Sequence, residues 1–174
     1  MTSNGPSDET PKTETPKAPE ADTVPLVVNG QYIKDLSFEV PGAPAIYGEM
    51  TSKEPAITVN VDVQARAAQD SLFEVTLHIV AECKVGEGVA FVCELAYAGL
   101  FTINIPREHL QAMLLIECPR LLFPSARNII ADATRDGAFP PLMLAPIDFV
   151  AMYRNQVAGQ GQPGNGGDGG VQTA

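Results

Sequence analysis

The chain has 174 residues, enough for one domain with a hydrophobic core. Its formal net charge of −10 argues against a nucleic-acid partner, because the phosphates of DNA and RNA favour basic surfaces. No segment approaches the ~20 apolar residues that a membrane-spanning helix needs. The N-terminus lacks the basic-then-apolar order of a secretory signal. We therefore expect a cytoplasmic protein that does not insert into a membrane.

The three cysteines predict reduced thiols. Cys83, Cys93 and Cys118 are an odd number without CxxC spacing, which favours buried thiols over a disulfide framework or a zinc site. Two histidines and scattered thiols give no metal-binding spacing. We expect neither a metal nor another cofactor.

Both ends of the chain differ in composition from its middle. Residues 1–24 are rich in Pro, Thr, Lys, Glu and Asp and contain too little apolar surface to offset the entropy of ordering. Residues 157–174 are dominated by Gly and Gln. The sequence predicts a disordered N-terminal extension, one domain over residues 25–156, and a flexible Gly-rich tail.

The first predicted strand begins at Gln31. In YIKDLSFEVP, apolar and polar residues alternate, and Asp35 and Glu39 fall on the same side. The segment PGAPAIYGEMTSKEPA follows; it is too long for a tight hairpin and predicts a crossover loop. That loop carries the apolar residues Ile46, Tyr47 and Met50.

Three further strands follow the crossover loop. ITVNVDVQAR and SLFEVTLHIVAECKV alternate with period two, and Gly86–Gly88 predicts a hairpin turn. The last strand, VAFVCELAYAGLFTINI, is apolar on both faces, as in a strand covered on both sides or lying at a subunit interface. Four strands followed by helices predict an α+β fold: a four-stranded antiparallel sheet with the helices packed on one face.

The helical part combines one long helix with prolines. Apolar residues recur at helical spacing from Leu110 to Ala133, and the prolines of CPRLLFP predict a broken helix that resumes at Ser125. Ser125 is the expected N-cap and Gly137 the expected C-cap. The following AFPPLMLAP has almost no polar side chains and suits neither a helix nor a central strand. It should be pinned against a core, another subunit or a groove, before a short C-terminal helix.

The sequence offers no catalytic constellation, so we do not expect an enzyme. His78 and Cys83 are five residues apart on one strand and point to opposite faces. His109 beside Glu108 is typical of a helix start. Asp35 and Glu39 share one strand face, and Val92 and Glu94 share another. Their carboxylates fit either a solvated sheet face or a docking surface for a basic partner, and the spacing alone does not separate the two.

The segments YIKDLSFEVPGAP, AFVCELAYAGLFTI, CPRLLFPSAR and GAFPPLMLAPIDF resemble the SecB family of bacterial protein-export chaperones. The resemblance runs from Tyr32 to Tyr153. It implies a homotetramer, a dimer of dimers, that works without ATP. Such a chaperone holds unfolded precursor proteins in the cytoplasm and delivers them to the export ATPase SecA.

The resemblance also implies roles for individual residues. SecA docking falls on Asp35, Glu39, Val92 and Glu94, and positions that affect the tetramer fall on Cys93, Leu95 and Tyr97. The expected client-binding groove comprises Ile46, Tyr47, Met50, Leu142, Met143, Leu144 and Phe149. The chain departs from the family in having no Trp in its crossover loop and in its Pro-rich and Gly-rich ends.

Two other functions stay open at this point. One is a chaperone of the same fold that serves a toxin–antitoxin pair. The other is a small enzyme, which the missing catalytic constellation disfavours.

Overall fold

A computed structural model describes Met1 and residues 24–160 of the chain. The remaining residues, which comprise most of the predicted N-terminal extension and residues 161–174 of the predicted tail, lie outside the described part. Four strands and four α-helices follow one another in the described part: β1 (Leu26–Glu39), α1 (Ala45–Glu49), β2 (Pro55–Ala67), β3 (Leu72–Val85), β4 (Gly88–Ile103), α2 (Arg107–Ala112), α3 (Cys118–Asp136) and α4 (Phe149–Gln160). A π-helical turn, Met113–Glu117, joins α2 to α3.

The four strands form one antiparallel sheet in the order β1-β4-β3-β2. Side chains alternate between its two sides. On β3, Val75, Leu77 and Ile79 are fully buried on the side that we call the helix face. His78 and Glu82 lie on the opposite side, the open face. The predicted fold class is therefore confirmed.

Helix α3 covers the helix face. Its side chains Leu122, Ala126 and Ile130 are fully buried, and burying a leucine or isoleucine side chain stabilises the fold by about 1.5–3 kcal/mol. Helix and sheet approach closely at Gly99 of β4, where an added Cβ would lie 2.8 Å from Cδ2 of Leu122. Only glycine leaves room for the helix at that point.

Strand β1 begins at Leu26, five residues before the predicted start. Its pairing with β4 shifts twice, between Val28 and Gly30 and between Ile33 and Asp35. Each shift is a bulge that places one extra residue in β1 and breaks the alternation of side chains. The period-two pattern is therefore absent from the first half of this strand. For this reason the sequence analysis placed the start of the strand too late.

The prediction that the long helix resumes at Ser125 is wrong. Helix α3 runs through Pro124 without interruption, and Ser125 is not its N-cap. A proline leaves the carbonyl four residues earlier without a donor. Here that residue is Arg120, which lies with Pro124 on the exposed side of the helix, where water can satisfy the carbonyl.

The irregularity in the helix instead precedes Pro119. The π-helical turn ends where the backbone N–H of Cys118 donates to the carbonyl of Met113, five residues earlier. Pro119 has no N–H to offer to Leu115, so regular α-helical bonding cannot continue across this point. Regular α-helix resumes at Cys118, with Pro119 in the first turn, where proline is tolerated.

Helix α3 ends at the predicted C-cap, Gly137. The left-handed residue is the next one, Ala138, with φ of 63°. Glycine at 137 serves a different purpose, because a Cβ there would collide with the ring of Phe38 on β1. The chain then leaves the helix past a cluster of aromatic rings in which Phe139 packs on Phe91 and Tyr47, with ring centroids 5.0 and 5.3 Å apart.

The proline-rich segment 139–148 has no regular secondary structure, as predicted. It is pinned to the core by Phe139 and Leu144, which are buried. Its backbone is fastened to α3 where the N–H of Leu142 donates to Oγ1 of Thr134 at 2.9 Å. Helix α4 then extends to Gln160, four residues beyond the predicted domain boundary.

Candidate functional site: an acidic sheet face and an apolar groove

The structure brings the four residues expected to dock SecA onto the open face. Asp35 pairs with Ala96 and Glu39 pairs with Val92, while Ser37 between them pairs with Glu94. Residues directly opposite each other in an antiparallel pair project on the same side of the sheet. Asp35, Glu39 and Glu94 are exposed and Val92 is half-buried. Val92 therefore lies beside Glu39 and Glu94, and Asp35 lies further along the same face.

Three residues that the sequence analysis did not assign to this surface join it from neighbouring strands. Glu82 lies opposite Val92 on β3, and His78 lies opposite Ala96 with Asp62 of β2 beyond it. A shallow depression of about 140 Å³ opens between Asp35, His78 and Glu94. We call Asp35, Glu39, Glu82 and Glu94 the acidic surface. Their proximity follows from the strand order, which the local sequence pattern did not reveal.

The other end of the open face carries a tightly bonded cluster around Glu74. This carboxylate is only 3% exposed, although no helix within residues 24–160 covers it. Tyr32 donates to its Oε1, and Lys34 and Arg66 donate to its Oε2, the lysine at 3.1 Å. A buried carboxylate is tolerated only when such donors replace its water. The donors come from both edge strands, so Glu74 ties β1 and β2 to the middle of the sheet.

These donors lower the pKa of Glu74 to about 2; the hydrogen bond from Tyr32 is the largest cause, followed by that from Arg66. The same hydrogen bond raises the pKa of Tyr32. Glu74 is therefore ionised throughout the neutral range.

An apolar groove lies on the opposite side of the molecule, along β2. One part, a depression of about 150 Å³, is bounded by the crossover loop, the edge of the sheet and the proline-rich segment; its lining includes Met50, Ile57, Phe91, Pro140 and Leu142. Further along β2, a second depression of about 320 Å³ lies between Val59, Val61 and the segment Leu144–Ile147. We call the two depressions together the β2 groove.

Three of the seven residues predicted for a client groove line the β2 groove: Met50, Leu142 and Leu144. Ile46 and Phe149 are buried in the core instead. Tyr47 packs on Phe139, and its hydroxyl donates to the carbonyl of Gly137 at 3.0 Å. Met143 is 56% exposed but does not line either depression.

The sequence analysis missed the contribution of β2 to this groove. Ile57 and Val59 are 47% and 38% exposed, although their side chains lie on the helix face. The alternation in ITVNVDV predicted that these residues share one side, and four apolar residues in a row on that side were the available signal. Whether an edge strand is covered depends on where the helix crosses the sheet, which the pattern does not specify.

The residues expected to affect the tetramer are buried within the chain itself. Cys93 and Leu95 are 0% and 2% exposed. Leu95 and Tyr97 pair with Leu36 and Ile33 on the neighbouring strand β1. Those two partners are 41% and 49% exposed. An apolar layer therefore runs from the core to an uncovered edge.

The environment of the three cysteine side chains disfavours the thiolate form. All three cysteines are free and buried, as their spacing predicts. Burial raises the pKa of each thiol, that of Cys118 to about 12. His78 and Cys83 lie on opposite faces, and His109 pairs with Glu108 at 3.4 Å, both as predicted.

None of the helices in residues 24–160 combines the length and the apolar character that crossing a membrane requires.

The sequence profile described as "Preprotein translocase subunit SecB" matches residues 19–160. The chain belongs to the SecB family. It is 55% identical over 139 residues to the protein-export protein SecB of Rhodospirillum rubrum, which covers 80% of this chain and 86% of that protein. It is 53% identical to its counterpart in Paramagnetospirillum magneticum, covering 82% and 92% of the two chains.

A solved structure supports the fold. The SecB-like chaperone of Mycobacterium tuberculosis, determined in complex with a peptide from an antitoxin, superposes with a TM-score of 0.59. The match covers 70% of this chain and 90% of that chain at 19% identity.

Glu74 yields a prediction on stability against pH. Because its pKa is lowered by folding, its contribution, on the order of 2–3 kcal/mol, is present above pH 4.5 and is lost as the pH falls towards 2. Glu74→Gln should therefore reduce the free energy of unfolding most at neutral pH and least near pH 2. Urea unfolding followed by circular dichroism at several pH values measures this. A difference between the two proteins that does not change between pH 7 and pH 2 would contradict it.

Proposed function

We propose that this chain is an ATP-independent chaperone of the cytoplasm that holds unfolded precursor proteins and delivers them to SecA. The observation that carries the proposal is the separation of two surfaces. An apolar groove lies along one edge strand on the helix face, and a group of exposed carboxylates lies on the open face. Relatives that are more than half identical to this chain are named protein-export proteins.

The β2 groove suits an unfolded client. An extended apolar segment lying over Ile57 and Val59 would bury surface that the chain leaves exposed. Strand β2 is an edge strand, so its outer backbone groups are free to bond a peptide. The three prolines at 140, 141 and 146 line the opposite wall and have no N–H groups that need a partner there. Met50 adds a flexible side chain that adapts to different sequences.

The acidic surface suits a basic partner. Asp35 and Glu39 are four residues apart on one strand, so their carboxylates are separated by about 13 Å at ~3.3 Å per residue. Glu94 lies between them on the next strand. We propose that this surface binds SecA through charge, with Val92 as an apolar contact between Glu39 and Glu82.

The exposed apolar side chains of β1 suit self-association. A long uncovered edge strand presents unpaired backbone groups to another chain, and Ile33 and Leu36 add apolar surface on the helix face. We propose that this edge joins two copies, within a homotetramer that is a dimer of dimers.

A chaperone of a toxin–antitoxin pair is not favoured. The antitoxin-bound chaperone shares the fold at 19% identity, whereas the relatives above 50% identity are named for protein export. Affinity purification from cells distinguishes the two functions, because an export chaperone should retain SecA and precursors rather than a toxin–antitoxin pair.

Client binding is tested in the β2 groove. Ile57→Ser combined with Val59→Ser should weaken binding of an unfolded precursor roughly tenfold or more, since each change removes about 1 kcal/mol or more of apolar contact. Fluorescence anisotropy of a labelled precursor measures the affinity. Val157→Ser is the matched control, because this side chain is 46% exposed and lies outside the groove. Equal affinities of the double variant and the control would place the client elsewhere.

SecA docking is tested on the open face. Asp35→Ala with Glu94→Ala should lose most of the affinity for SecA while the precursor affinity and the melting temperature stay near wild type, because exposed carboxylates contribute little to folding. Calorimetric titration measures SecA binding at two salt concentrations. Glu54→Ala with Glu87→Ala removes the same charge from turns outside the acidic surface and should bind SecA normally. SecA affinity that is unchanged in the first variant would reduce these carboxylates to a solvated face.

The tetramer is tested on β1 rather than in the core. Charges at Cys93 or Leu95 would be buried within the chain and destabilise it as a whole. Ile33→Asp with Leu36→Asp places charges on exposed positions and should shift the tetramer towards smaller species. Light scattering reports the mass, and Ile57→Asp on the other edge strand is the control. A double variant that keeps the mass of a tetramer would exclude this edge as a contact.

A further inference from the structure

Lys34 and Asp35 are consecutive residues that project on the same side of the sheet. The pairing of β1 with β4 shifts between Ile33 and Asp35, so Lys34 is the extra residue of a bulge. Asp35 lies on the open face opposite Ala96, and Lys34 bonds Glu74, which is on the open face of β3. Asp35, one carboxylate of the acidic surface, therefore has a lysine beside it.

The lysine is held away from that carboxylate. Its Nζ lies 3.1 Å from Oε2 of Glu74, two strands away across β4, a span of about 9–10 Å at ~4.8 Å per strand. The residues of β4 beneath this path on the open face are Ala96 and Ala98, both buried. Tyr32, directly opposite Ala98, crosses to Glu74 in the same direction. Small side chains on β4 thus let two long side chains lie across it.

We propose that Glu74 is a positioning residue for the docking surface: it draws Lys34 away and leaves Asp35 free for a basic partner. Glu74 itself is buried beneath its three donors and cannot touch that partner. Without it, the lysine ammonium is within reach of the neighbouring Asp35 and competes with any cation that the partner presents. This inference rests on the proposed docking function and adds the residue that keeps Asp35 of the acidic surface unpaired.

The cluster around Glu74 also makes the two ends of the open face differ in charge. Lys34 and Arg66 together carry two positive charges against the single negative charge of Glu74 at one end. Among the described residues, one cation forms an ion pair with the acidic surface: Lys84 pairs with Glu82 at 3.2 Å. A basic segment bound along the strands would place its charges away from the cluster around Glu74.

A double-mutant cycle of Glu74 and Lys34 tests the positioning role. Glu74→Gln should weaken binding of a basic ligand roughly three- to fivefold at low salt, the equivalent of one exposed ion pair formed in competition. In a Lys34→Met background, the same Glu74→Gln change should alter the affinity less than about twofold, because no lysine is released. Glu87→Gln is the control for the loss of one negative charge and should stay within twofold of wild type.

Two probes separate this inference from the proposed function. Calorimetric titration with SecA and with a decalysine peptide is carried out on all variants. If SecA fails to bind wild type, the docking proposal fails. The titration with decalysine then tests the positioning role of Glu74 by itself. Equal effects of Glu74→Gln in both backgrounds would overturn the positioning role. So would a failure of decalysine to bind wild type, since no free acidic surface would then exist. If Glu74→Gln weakened binding by damaging the fold, the loss would persist in the Lys34→Met background, because removing Lys34 cannot repair a misfolded sheet.

Discussion

The packing of one long helix against one face of a four-stranded sheet is the contact on which this molecule depends. Leu122, Ala126 and Ile130 of α3 bury the centre of the helix face, and Gly99 permits the close approach. One helix is too narrow to cover four strands, so the outer strands β1 and β2 keep exposed apolar residues. No helix of the described residues packs on the opposite face, which carries the exposed carboxylates. The groove, the acidic surface and the uncovered edge all follow from this single imbalance between covered and uncovered sheet.

The sequence predicted which residues of a single strand share the open face. It did not predict which residues of different strands lie next to each other on that face. The alternation around Asp35 and Glu39 gave their side correctly, since a single strand fixes which residues share a face. The position of His78 between them and Asp62 depends on the strand order β1-β4-β3-β2, which local patterns do not determine. The Glu74 cluster was missed for the same reason. Its donors come from residues 32, 34 and 66, and a bulge decides the direction of one of them.

The errors in the helical part and in the groove have one physical origin, the position of a residue relative to solvent. Pro124 does not break α3 because the carbonyl that it deprives of a partner faces water. Ile57 and Val59 are apolar and point to the correct side, but they lie beyond the reach of the helix. Conversely, Ile46 and Phe149 belong to apolar segments of the expected groove and are buried. Apolar character identifies a face of an element, whereas exposure is decided by the neighbouring elements.

The π-helical turn between α2 and α3 fixes how these two helices are rotated about their common axis. In an α-helix each residue turns the chain by about 100°, because a turn contains 3.6 residues. The hydrogen bond from Cys118 to Met113 spans one residue more than an α-helical bond. Deleting one residue between them would restore regular geometry and rotate α2 by about that angle. Leu110, which packs against the core, would then exchange places with a polar neighbour. In sequence comparisons within the family, gaps should therefore be rarer across Met113–Glu117 than in the crossover loop.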